Sequence, residues 1–147
     1  MRHQPTEEEG RQSLVDHAAQ KAWEARQIYG EGQPSMSMHN LLVLLEDRKF
    51  IRYPVKLIFD SAALEDKEAA HAQPIEKDNP KAGFLMHIHP SLKGNDKAVA
   101  LLTAYQLITV NYGDIAEREA AEHFGSILMG MDIESYYQAL CTIHDQL

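Results

Sequence analysis

A chain of 147 residues, 44% hydrophobic and 24% charged, reads as a single domain over residues 1–147. It is large enough to bury a core without disulfides or a structural metal. Its formal net charge of -8 argues against nucleic acid or an anionic membrane as its main partner. The lone Cys141 excludes an intramolecular disulfide and points to a reducing compartment. No apolar run approaches the roughly 20 residues of a membrane helix, and the N-terminal residues carry no hydrophobic signal segment, so a soluble, cytoplasmic protein is expected.

Residues 1–5 are expected to form a loose tail. Thr6 stands at the N-cap of a first helix, with Glu9 in the capping-box position. Leu14, Ala18, Ala22, Ala25 and Tyr29 form its inner stripe, and Gly30 is placed to end it in a left-handed conformation. Trp23 falls opposite that stripe, either exposed or against a neighbour such as another subunit. A loop through Gly32, Pro34 and the serines around Met36 leads to a short second helix over 37–48. There Leu41-Leu42-Val43-Leu44-Leu45 is followed by Glu46-Asp47-Arg48-Lys49, which favours helix over buried strand.

The stretch from Tyr53 to Asp60 alternates as a strand. Tyr53, Val55, Leu57 and Phe59 share one face, Lys56 and Asp60 the other, and Pro54 suggests an edge position. Residues 64–75 stay open between helix and strand: Leu64 to Ala70 has helical composition, yet Pro74 must end any helix there. Residues 77–81 read as a turn. Gly83-Phe84-Leu85-Met86-His87-Ile88-His89 then forms a strand whose two histidines share a face.

The last third is helical. Asn95 or Asp96 caps a helix to about Asn111 that is apolar on nearly every side, as in a buried central helix. Gly113 ends it. Asp114, with Glu117 in the capping-box position, starts a helix with Ala116, Ala120, Phe124, Ile127 and Leu128 inside. Gly130 ends that helix, and Asp132 caps the last, which carries Ile133, Tyr136, Tyr137, Leu140 and Ile143. The expected class is α+β: about five helices, the three C-terminal ones packed as consecutive hairpins, against a small antiparallel sheet.

His87 and His89 are the strongest chemical signal. Two imidazoles on one strand face can share a divalent metal such as zinc, or move protons near neutral pH. Asp96, Glu119 and His123 are candidates to complete a metal site; the last two form an i, i+4 pair on one helix. Asp60 is a further acidic neighbour, and His71 a weaker ligand candidate. The competing reading is a strand with two histidines held by local hydrogen bonds, and a surface pair for Glu119 and His123.

His87-Ile88-His89-Pro90, with Ser91 and Asp96, is similar to part of the zinc motif of the JAMM/MPN metalloproteases. That resemblance implies His87, His89 and Asp96 on zinc, with an upstream glutamate acting on the bound water. It covers roughly ten residues. The family has a longer interval before its aspartate, and a serine where Lys93 stands. Glu46, Glu65 and Glu68 all fit the upstream glutamate by order alone, and the helical C-terminal third lacks the strands that family needs there. Membership is not assigned.

A third use of this region is anion binding at the corner from Pro90 to Asn95, where Lys93 and a helix N-terminus add positive character and Asp96 opposes it. His17 and His144 read as solvated, and Cys141 as a buried, inert thiol. Met36, Met38, Met86, Met129 and Met131 either line an adaptable surface or fill the core. Nucleophile elbow, phosphate-cradling loop and dinucleotide fingerprint are all missing from the sequence. The function expected first is a non-enzymatic interaction or ligand-binding module, working as a homo-oligomer or on a small-molecule ligand. The alternative is a divalent-metal-dependent hydrolase with its site at His87 and His89.

Overall fold

The first helix begins where the sequence places its cap. In the computed structural model, which describes residues 6–30 and 36–147, the Thr6 hydroxyl accepts the Glu9 N–H and opens α1, Glu7–Tyr29. The expected tail over residues 1–5 and the loop residues Gly32 and Pro34 lie outside the described residues. Val15, Ala18, Ala22 and Ala25 are buried, with Leu14 and Tyr29 packed at the margin. Gly30 ends the helix at φ -111°, outside the left-handed region, because its N–H closes the last turn onto the Arg26 carbonyl.

Helix α2, Met38–Leu44, is capped by the Ser37 hydroxyl and stops short of residue 48. The N–H groups of Glu46 and Asp47 bond to Val43 and Leu44 in tight turns. The Asp47 carboxylate then accepts the Lys49 N–H and the Tyr29 hydroxyl, fixing a turn where helix was expected.

Three strands follow: β1, Val55–Phe59; β2, Ala70–Glu76; and β3, Asn79–Ile88, with β3 in the middle. β2 and β3 pair antiparallel, but β1 runs parallel to β3, so the sheet is mixed where a purely antiparallel one was expected. The cause is connectivity. Residues 60–69 carry the chain past the future position of β3 to its far side, and the β2–β3 hairpin then returns β3 into the gap. The ambiguous stretch 64–75 resolves as turns and then strand, with Ala70 and Ala72 opposite Ile88 and Met86 on the core face. Helical composition yields here to the apolar surface these two alanines cover. The turn is Lys77-Asp78 alone, with Asp78 at φ 65°; Asn79, Pro80 and Lys81 already belong to β3.

Helix α3, Asp96–Tyr112, starts at Asn95, whose side chain accepts the Ala98 N–H, and is buried on most sides. It covers the core face of the sheet against Met86, Ile88, Ala70 and Ala72. A short 3-10 turn over 113–115 replaces the expected start at Asp114. Ala116 is extended, Glu117 takes the N-cap without a side-chain bond, and α4 spans Arg118–Met129. Gly130 ends α4 left-handed, and Asp132 caps α5, Ile133–Asp145. Helices α3, α4 and α5 pack in succession, and α1 lies along α4, a pairing not legible from loop lengths. The Tyr136 hydroxyl, on α5, donates to the Leu101 carbonyl at 2.7 Å. Its ring lies so close to Gly125 that a Cβ there would stand 2.2 Å from the hydroxyl oxygen. No helix among the described residues is long and apolar enough to cross a membrane.

Candidate functional site

The register of the sheet decides what the histidines can do. His87 lies on the face away from α3, in one row with Ile58 of β1 and His71 of β2. It is only 6% exposed. Its Nδ1 stands 2.6 Å from Oδ1 of Asp60, the residue that follows β1. Asp60 also accepts the Ala62 N–H. The hydrogen bond from His87 holds the Asp60 carboxyl below the ordinary carboxylate range, against a smaller opposing effect of desolvation. The pair links the C-terminal ends of two parallel strands.

His89 is placed differently. It falls one residue past β3 and caps a 3-10 turn over Pro90–Leu92. Its Nδ1 accepts the Ser91 N–H and lies 2.7 Å from the Ser91 hydroxyl. The two imidazoles thus have separate Nδ1 partners, a carboxylate from β1 and a local serine. Asp96 is exposed in the first turn of α3, Glu119 is exposed on α4, and His123 is half-buried on α4. Among the described residues, no three His, Cys, Asp or Glu side chains stand together as a metal-holding group.

The corner after β3 uses its own donors. His89 takes the Ser91 N–H and Asn95 takes the Ala98 N–H, which leaves less of the turn for an anion. The remaining candidates have local roles. His17 pairs with the Tyr112 hydroxyl, and the His144 ring bonds the Leu140 carbonyl. Cys141 is half-buried, not buried, and its thiol bond to Tyr137 raises the Tyr137 pKa. Met36, Met38, Met129 and Met131 do gather, beside Leu101, around a cavity of about 390 Å³ with Asp96 and Lys97 at its rim. Met86 is fully buried in the core.

The two edges of the sheet are the feature sequence reasoning missed. On β2 the hydrogen-bonded partners of β3 are the odd residues, as the bond from His89 N–H to the Ala69 carbonyl shows. The even residues therefore point their backbone groups outward. Gln106 of α3 reaches this edge: its Oε1 accepts the Ala72 N–H at 3.1 Å and its Nε2 donates to the Ala70 carbonyl at 3.3 Å. Pro74, next in the outward series, has no N–H to offer. Three outward groups of the β2 edge are thus unavailable or missing for pairing with another strand: the Ala70 carbonyl, the Ala72 N–H and the N–H that Pro74 lacks.

Among the described residues, the β1 edge has no such cover. The Phe84 N–H bonds to the Pro54 carbonyl, so in this parallel ladder Lys56 and Ile58 face β3 while Val55, Leu57 and Phe59 face outward. Among the described residues, no hydrogen bond reaches the outward groups of these three. Val55, Leu57, Ile58 and Phe59 are each half-buried, and Val55, Ile58 and Phe59 are strong strand formers. The sequence signal was present, in Pro74 on one strand and a β-prone run broken only by Lys56 on the other. Gln106 gave none, because a glutamine on a helix is ordinary.

No family model, curated protein or solved structure matches the chain.

Proposed function

We propose that this chain is a non-enzymatic protein-interaction module, soluble and cytoplasmic, that works by accepting an extended strand on the free edge of β1. One observation carries the reading: the fold blunts one edge of its sheet with Gln106 and Pro74 and, among the described residues, leaves the other open. Open, β-prone edges are rare in soluble folds because they invite pairing, and strand addition is a recurring mode of recognition. The lone half-buried Cys141 and the absence of a membrane-crossing helix among the described residues support the soluble, cytoplasmic part. A metal-dependent hydrolase receives no support from the geometry: His87 and His89 have separate partners, and among the described residues no third ligand stands with them.

Amide hydrogen exchange tests the reading directly. In dilute protein the N–H groups of Val55, Leu57 and Phe59 are expected to exchange fast, while those of Lys56 and Ile58 are protected by β3. A panel of extended peptides is then titrated, and a binder must slow the first three. Protection of those three in the dilute, unliganded chain would mean the edge is already occupied and would end the proposal.

A further inference from the structure

We infer that the strand received by β1 is β1 of a second copy of this chain, paired antiparallel about Leu57. This deepens the proposed interaction function and rests on it. The backbone is self-matching in that arrangement. Val55, Leu57 and Phe59 present both N–H and C=O outward, so Leu57 meets its own counterpart and Val55 meets Phe59 of the second copy. Every outward group of the strand is then bonded. Centring on Ile58 would leave Val55 unpaired, and centring on Lys56 would set two lysines opposite each other.

Charge selects the same register. With Leu57 at the centre, Lys56 has Asp60 and Lys56 of the second copy as its two diagonal neighbours on the same face, so two Lys56–Asp60 attractions stand against one Lys56–Lys56 repulsion. Lys56 is exposed and Asp60 keeps part of its surface free beside His87, so both are available. This local complementarity opposes the repulsion between two chains of net charge -8. The core-face residues Val55, Leu57 and Phe59, half-buried at the open edge, would each gain an apolar partner. The product is a continuous sheet built from two three-stranded halves, closed by a two-fold axis and ended on both sides by Gln106 and Pro74. A single short strand pair covers little area, so the dimer is expected to be weak and concentration-dependent.

Sedimentation velocity from about 10 µM to about 1 mM, spanning the range of weak association, reads the result. The wild-type chain is expected to shift from monomer to dimer, with its Leu57 amide becoming protected as it does. Lys56→Asp, on an exposed side chain, should lower association at least tenfold. Leu57→Pro should abolish it; Lys77→Asp, the same charge change in the β2–β3 turn, should leave it unchanged. Circular dichroism checks that each variant is folded, and Lys56→Asp keeps the test open if Leu57→Pro is not. A dimer indifferent to Lys56→Asp would place the interface elsewhere and overturn the inference. A strict monomer at about 1 mM with a fast-exchanging β1 edge would overturn it too, yet leave the edge free for a different protein's strand. A monomer with that edge already protected would end both proposals.

Discussion

The two outer strands of this sheet are built from different residues and finished in opposite ways. β2 carries a proline and has two of its outward groups, the Ala70 carbonyl and the Ala72 N–H, taken by a glutamine from α3; β1 carries neither device. The difference teaches that edge protection is assembled from outside the strand as much as within it. Pro74 removes one donor, but the Ala70 carbonyl and Ala72 N–H are silenced only because α3 crosses the core face on that side.

Removing the helix's contribution should break the contrast most. Gln106→Ala strands the outward groups of Ala70 and Ala72 at a partly buried edge, at a cost of about 1–3 kcal/mol in urea unfolding. It also frees the Ala70 and Ala72 part of the β2 edge in each copy, with Pro74 still in place, so light scattering should show some species larger than a dimer. If stability and size both hold, the Gln106 bonds do not close the edge. Pro74→Val sharpens the comparison more gently. An exposed strand residue should alter stability by no more than about 0.5 kcal/mol. The N–H it restores should still raise the tendency to associate at high concentration, and the tendency should fall again in the double variant with Lys56→Asp if β1 contributes the other half.

The smallest effect concerns the acid side of the stability curve. The bond from His87 depresses the Asp60 pKa, so its contribution is complete above the ordinary carboxylate pKa of about 3.9 and is lost as pH falls through the lower folded value. Asp47, lowered by the Tyr29 hydroxyl, and Asp132, lowered by its Ser135 bonds, act in the same direction. Asp60→Asn should therefore flatten, without abolishing, the fall in urea midpoint below about pH 4. An unchanged slope would show that the contact does not tie the end of β1 to β3.

What the sequence determined by itself was local. Thr6, Asn95 and Asp132 cap helices, Gly113 and Gly130 mark helix ends, and the apolar character of α3 declares its central place, because each signal acts within a turn or two of its own residue. The α+β class and the hairpin succession of α3, α4 and α5 followed from such signals. Asp114 misled for the same local reason: a capping box is only a pattern until the backbone beyond it turns helical, and here Ala116 is extended.

Tertiary structure alone decided the rest. It ran β1 parallel to β3, made a strand of the alanines at 70 and 72, and gave His87 to Asp60 while His89 turned to Ser91. Each outcome joins groups distant in the chain or depends on which side of a strand is already occupied. Side-chain alternation places two histidines on one face, but their partners depend on the strand that arrives alongside and on where the β-segment stops. Whether an edge stays open depends on which helix passes it, and no single stretch of residues records that.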